Sequence, residues 1–314
     1  MTLYPLKFEP IYQYRLWGGR RFSGLLTAPL PGDGPIGEAW ILSDRGDHPS
    51  RVANGPLQGQ TIGQVLAQFP EQAMGKLAGR FPRFPLLLKF LDAKEMLSVQ
   101  VHPAGETGKT EAWVVLEAGE KSRICSGLKP GATEAGLRHA ITNGLVADQL
   151  ACFNPKPGDA VFTPGGMVHS LGGDIVVFEV QQNSDVTYRL FDWNHVDAKT
   201  GKARPLQVEE AIGSIDFKHS TGGVVTPVTL TATPVCRQRL FDCAYFRLWR
   251  VRGEAPFTVG ASLSPRVLVC VEGSGTVESV PLTKGDVTLL PAALGTCTFQ
   301  PHGEVTVLEI EIPA

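Results

Sequence analysis

The sequence predicts a mainly β protein built as two related barrels, the second a degenerate copy, with a small helical insertion in the first. Three observations carry that expectation. Gly (35) and Pro (24) are abundant in a chain of 314 residues, so turns come close together. Short apolar runs recur at the spacing of strands in sandwiches and barrels. A third sign is an internal echo: Gly158-Asp159, four residues and Pro164 return as Gly285-Asp286, four residues and Pro291. Self-similarity of this kind marks a repeated structural unit. After Pro164 the chain reaches His169, whereas after Pro291 it reaches Thr296 with no histidine. One barrel therefore has the means to bind a metal and the other lacks it.

The elements follow in order. Residues 1–60 are turn-rich, with a strand over Glu38–Ser43. Thr61–Ala78 has Ile62, Val65, Leu66 and Phe69 at helical spacing, with Thr61 as its cap. Leu86–Leu91 (LLLKFL) reads as a buried strand, Leu97–His102 alternates in period two, and Glu111–Leu116 is a further strand. The helical insertion spans about residues 130–155, as Thr133–Asn143 and Leu145–Phe153 separated by Gly144. Strands resume at Asp159–Thr163, His169–Leu171, Ile175–Gln181 and Val186–Phe191. These divide the chain into a catalytic unit at 1–205, a linker at 206–223 with a short helical piece near Val208–Ile212, and a C-terminal β unit at 224–314. Strands in the last unit are expected at Tyr245–Val251, Val267–Val271, Asp286–Leu290 and Glu304–Ile310.

Composition excludes several classes of function. Hydrophobic residues at 43% and charged residues at 19% suit a globular chain. A net charge of −2 with no long basic run argues against nucleic acid as a partner. No apolar run approaches the roughly 20 residues of a membrane helix. The opening residues lack the apolar core of a secretory signal, so a cytoplasmic location is expected. The six cysteines are scattered without a CxxC pair, which predicts reduced, mostly buried thiols.

Four residues stand out as metal donors. Gln100 and His102 lie two apart on an alternating strand and so face the same way. Glu111 follows a turn long enough to bring it back beside His102, and His169 follows the turn Pro164–Val168. Two imidazoles, a carboxylate and an amide oxygen suit a divalent ion such as zinc, with a position left for water or substrate; manganese, cobalt or nickel fit the same donors. His48, His139, His195, His219 and His302 lie in polar, loop-like settings. They read as solvated, His195 alone falling near site candidates.

The same residues carry a family resemblance. Gly158-Asp159-x4-Pro164-x-Gly166-x-x-His169 resembles the second cupin motif, and Gln100-x-His102-x8-Glu111 a variant of the first. The stretches Leu97–Pro103, Gly108–Trp113, Pro164–His169 and Gln182–Asp192 resemble the type I phosphomannose isomerases in their short bacterial form. Leu16–Gly19 and Gly37–Trp40 do so as well. The resemblance is close over about residues 1–205 and general beyond them. It implies two cupin-like jelly-roll barrels, a bound Zn2+ and the interconversion of mannose 6-phosphate and fructose 6-phosphate. It also implies that the metal ligands are Gln100, His102, Glu111 and His169, and that the active-site arginine, lysine and serine are Arg189, Lys109 and Ser98. Ser184 and Asp185 match a Ser-Asp pair of the family.

Such an isomerisation moves a proton between C1 and C2 through an enediol. A cation such as Arg189 would face the developing negative charge. Asp185, Lys109 and a metal-bound water are all candidates for the base. Ser98, Lys89 and Arg204 are candidates for the substrate phosphate. Lys89, inside an apolar run, reads equally as a buried ion-pair member, and Arg189 as a partner of Asp192 or Glu179. The competing functions are a cupin oxygenase using iron and a non-catalytic sugar-phosphate-binding protein. The cationic set Lys89, Lys109 and Arg189 speaks against the first, and the complete donor set against the second.

Overall fold

The computed structural model describes residues 2–218 and 222–314; His219 lies outside them. The strands form a stack of antiparallel sheets whose order explains the sequence pattern. A five-stranded sheet contains Leu150–Phe153, Arg123–Leu128, His169–Gly172, Val99–Val101 and Tyr188–Phe191 in that spatial order. A six-stranded sheet contains Ala160–Thr163, Glu111–Ala118, Ile175–Gln182, Leu86–Ala93, Ile11–Gly19 and Ile36–Leu42. These two enclose the first barrel, and their common core includes Trp17, Leu91, Trp113, Ile124, Leu171 and Val177. In the second barrel, a seven-stranded sheet faces a four-stranded one across Val259, Leu268, Val277, Leu290, Phe299 and Val307.

The six- and seven-stranded sheets also pack on each other. Phe90, Val114, Phe178 and Val180 from one meet Leu248, Val267, Leu289 and Ile310 from the other. The central strands of both sheets are therefore covered on both faces, which is why they read as continuous apolar runs. In Leu86–Ala93 the alternate residues serve different cores: Leu86, Leu88 and Phe90 face the shared core, Leu91 and Ala93 the barrel interior. Lys89 shares the parity of Leu91, so its side chain is directed into the barrel. The start of the chain also joins the second barrel, since Leu6 pairs with Leu289 and the Lys7 ammonium reaches Asp286 at 2.8 Å.

The repeated motif forms the same turn twice. Gly158 and Gly285 take φ of 88° and 94°. Asp159 Oδ2 accepts the amide of Lys156 at 2.7 Å, and Asp286 Oδ2 that of Thr283 at 2.8 Å. Each turn leads into a strand, Ala160–Thr163 or Val287–Leu290.

Several expectations change. The helix from Thr61 is capped as expected, Thr61 and Gln64 forming a reciprocal capping box. It ends at Gln68, however, and a separate short helix begins at Pro70, which has no amide hydrogen to continue the first. The insertion keeps a helix over Glu134–Thr142, and Gly144 breaks it at φ 70°. The second half is not helical: Val146–Gln149 is a short 3-10 turn and Leu150–Phe153 is an edge strand paired with Arg123–Leu128. Edge pairing there outweighs a weak helical period. Cys125 and Cys152, expected as free thiols, are joined by a disulfide. They lie directly opposite in the register of those two strands, 27 residues apart, a juxtaposition that linear spacing does not display. The helical piece at Val208–Ser214 buries Ala211 and Ile212 against the five-stranded sheet's outer face, beside Val99, Val101 and Leu190.

Candidate metal centre and active site

The two sheets of the first barrel bring the donors together. In the five-stranded sheet, Gln100 stands opposite His169 on one side and Arg189 on the other. In the facing sheet, Glu111 stands between Thr163 and Gln181. His102 lies just past the end of its strand, where the turn at Gly165-Gly166 docks: the Gly166 amide donates to the His102 carbonyl at 2.8 Å. A Cβ on Gly165 would lie 2.5 Å from the Pro103 carbonyl oxygen, so only glycine lets this turn close against the histidine strand.

His102, Glu111 and His169 are each about 1% exposed, and their donor atoms lie within 4.8 Å of one another. Glu111 is 3.4 Å from His102 Nε2 and 3.3 Å from His169 Nε2. The Nδ1 atoms of both rings are taken by backbone carbonyls, His102 with Val186 and His169 with Met167, each at 2.8 Å. A ring that donates from Nδ1 presents a lone pair at Nε2. Both Nε2 atoms therefore face the carboxylate as acceptors, which is the arrangement a divalent ion requires. Burial, then Lys109, presses His102 down to about 3, and burial lowers His169 as well, so both rings favour the neutral form a metal could use. Burial pushes the Glu111 carboxyl up, but the neighbouring Lys109 ammonium outweighs it and holds it well below its usual range. The donor set fits a metal. Gln100 adjoins it with its amide nitrogen 3.2 Å from His169 Nε2 and its oxygen accepting from Ser98 at 3.0 Å. Ligation by the oxygen requires the amide to turn over.

Beyond the donors runs a chain of buried charges of alternating sign, with one member on each of several neighbouring strands. Lys109 lies 2.6 Å from Glu111 and 3.0 Å from His102 Nε2. It is also 4.0 Å from Glu179, which pairs with Lys89 at 3.0 Å. Lys89 is 3.8 Å from Glu38, and Glu38 holds Arg15 through two bonds of 3.1 and 3.0 Å. Unpaired, any of these charges would be costly to bury. Burial and the neighbouring Glu111 raise the Glu179 carboxyl, while Glu179 and Glu38 raise Lys89 against the effect of burial. At Glu38, Lys89 and Arg15 outweigh burial and hold the carboxyl at about 2.

The Glu38 shift has a definite sign. Its folded-state value lies below the unfolded one, so the unfolded chain takes the proton first as pH falls. Its contribution is complete above about 4.5 and is lost as pH falls towards about 2. The urea midpoint of a Glu38→Gln variant should therefore fall less steeply with pH in that window than the wild-type midpoint. Parallel pH profiles would show that folding does not lower the Glu38 carboxyl.

A cavity of about 430 Å³ opens onto this centre. Gln100, Glu111, Lys109, Ser98, Lys89, Arg189, Asp185 and Arg204 all line it. His102 and His169, equally buried beside Glu111, are not among the residues that line the cavity. Asp185 is exposed at the rim. Arg204 grips Asp192 with two bonds, so Arg189 does not take that partner. Arg189 donates to the Pro205 carbonyl at 3.0 Å, and no carboxylate among the described residues pairs with it. His195 lies 3.7 Å from Asp192 with its side chain one-fifth exposed.

Comparison with known proteins fits this geometry. Residues 5–122 match the model of the phosphomannose isomerase type I catalytic domain. Over 98% of the chain and 99% of the relative, the sequence is 35% identical to the mannose-6-phosphate isomerase ManA of Bacillus subtilis. The chain belongs to the type I phosphomannose isomerase family. It is also 31% identical to the mannose-6-phosphate isomerase of Streptococcus mutans, over 96% of each chain. The crystal structure of the Bacillus subtilis mannose 6-phosphate isomerase superposes with a TM-score of 0.88 at 29% identity, over 98% of this chain and 99% of that one. This confirms the mainly β cupin-like fold.

Within this isomerase fold, sequence reading gave no site role to several residues that line the cavity: Tyr14, Arg15, Trp17, Glu38, Glu179 and Asp197. Glu179 carried a usable signal, being a lone carboxylate in the run IVVFEV, the counterpart of Lys89 in LLLKFL. The two stand directly opposite in register. Arg15 and Glu38 carried none, because their pairing depends on two strands joining 23 residues apart.

Proposed function

We propose that this protein interconverts mannose 6-phosphate and fructose 6-phosphate through an enediol, using a zinc ion held by Gln100, His102, Glu111 and His169. The observation that carries this reading is the buried pole of neutral imidazoles and carboxylate at the base of a cation-lined cavity, in a chain 35% identical to a mannose-6-phosphate isomerase over nearly its whole length. Bound there, a divalent ion would act as a Lewis acid towards the oxygens on C1 and C2.

The remaining roles follow from position. Arg189, opposite Gln100 in register and free of a carboxylate, presents its charge to the enediolate. Lys109 is assigned the proton transfer in preference to Asp185, because its ammonium lies among the metal donors whereas Asp185 is at the exposed rim. Ser98 donates to the Gln100 oxygen and would instead accept from its amide nitrogen once the amide turns over to ligate. Lys89 is saturated by Glu179 and Glu38 and holds those carboxylates in place. The phosphate is left to the outer arginines, Arg204 among them. We place the catalytic unit at residues 1–205, the linker at 206–223 and a supporting barrel at 224–314, in a cytoplasmic enzyme.

The test is turnover of mannose 6-phosphate by purified protein before metal stripping, after it, and after return of zinc. Activity that disappears and returns with zinc supports the reading. No turnover in folded, zinc-loaded protein would sink it.

A further inference from the structure

Three guanidinium groups, Arg15, Arg189 and Arg204, line the cavity. They are close enough that the charges of Arg204 and Arg15 both act on Arg189, whose protonation is disfavoured first by burial, then by Arg204 and, against the pull of Asp192, by Arg15. Like charges gathered in a half-buried space are relieved when an anion sits among them.

Arg15 is the best prepared of the three. Glu38 accepts from its Nε and from one terminal nitrogen, and the Tyr14 carbonyl accepts from the other at 3.0 Å. A guanidinium has five N–H donors in one rigid plane. With three engaged, one remains on each terminal nitrogen, side by side along the outer edge. That edge is the fork that grips two oxygens of a phosphate. Glu38 is itself fixed, accepting from Trp40 Nε1 at 2.7 Å with Lys89 3.8 Å away. The fork is therefore held in place before any ligand arrives. Arg204, by contrast, is committed to Asp192 and Arg189 is braced only by a backbone carbonyl.

We propose that Arg15, fixed by Glu38, grips the phosphate of the substrate and sets the preference for the phosphorylated over the free sugar. This rests on the isomerase reading above. The experiment compares full-length, zinc-loaded wild type, Arg15→Ala and Arg15→Lys in steady-state turnover of mannose 6-phosphate, with calorimetric titration of inorganic phosphate alongside. Arg15→Ala should raise KM about tenfold or more with kcat little changed, and weaken phosphate binding by a similar factor. Arg15→Lys should recover part of both, since a lysine supplies the charge but not the fork. KM and phosphate affinity both unchanged in Arg15→Ala would overturn the proposal and leave the isomerase reading intact, as would a fall in kcat alone. Phosphate binding that depends on Arg15 in a wild-type protein without turnover would uphold the anion site and overturn the isomerase reading. Should Arg15→Ala fail to fold, Arg15→Lys carries the same comparison, and wild-type values in it would overturn the role of the fork.

Discussion

Glu111→Ala protein should hold little metal and turn over no detectable mannose 6-phosphate. Glu111 supplies the only carboxylate among the donors and lies within 3.4 Å of both imidazoles. Loss of an outer-shell partner of a metal ligand costs about 10- to 100-fold in affinity, so loss of a ligand should cost at least that. The change also leaves the buried Lys109 without its nearest counter-ion, a cost of about 3–5 kcal/mol if nothing rearranges. Metal content by elemental analysis, taken on protein shown to be folded by circular dichroism, separates the two effects. A folded variant with full metal content and wild-type turnover would remove Glu111 from the site.

Lys109→Met separates chemistry from metal binding. The methionine keeps the apolar stem and leaves Gln100, His102, Glu111 and His169 in place. Metal content should therefore stay near wild type while kcat falls about 10²- to 10⁴-fold, the usual contribution of a positioned acid or base. Turnover within a few-fold of wild type would shift the proton transfer to Asp185, and an Asp185→Asn variant would then show the loss. Metal lost together with activity would make Lys109 a support for the centre instead.

The sheet stack explains why such charges persist inside the barrel. The six-stranded sheet is packed on one face by the second barrel, through Phe90, Phe178, Leu289 and Ile310. That apolar contact holds its strands, and their inner faces are free to carry Lys89, Glu179 and Glu111. The second barrel packs on the first, and its own interior is apolar around Phe257, Leu268 and Phe299. The ladder is balanced pair by pair, so removing any one member should be felt by its neighbours.

Much of this was legible in the linear chain because it depends on local rules. Strand parity put Gln100 and His102 on one face, and glycine at positive φ marked both Gly-Asp turns. Thr61 announced its helix by capping chemistry. The candidate donors stood out because each sits in a motif whose turn and strand lengths are fixed locally, and because their order resembles a known family. What could not be read depends on which strands become neighbours. Leu150–Phe153 became an edge strand because Arg123–Leu128 offered it partners. Cys125 and Cys152 met only through that register. Arg15 met Glu38 only because their two strands pair, and Lys89 found Glu179 only across a strand boundary. The sequence by itself therefore determined the barrels and brought forward the candidate metal donors, through backbone geometry that acts over a few residues. Tertiary structure alone decided the disulfide, the charge ladder and the cavity's arginines, because a buried charge or thiol takes its chemistry from whichever group packing places beside it.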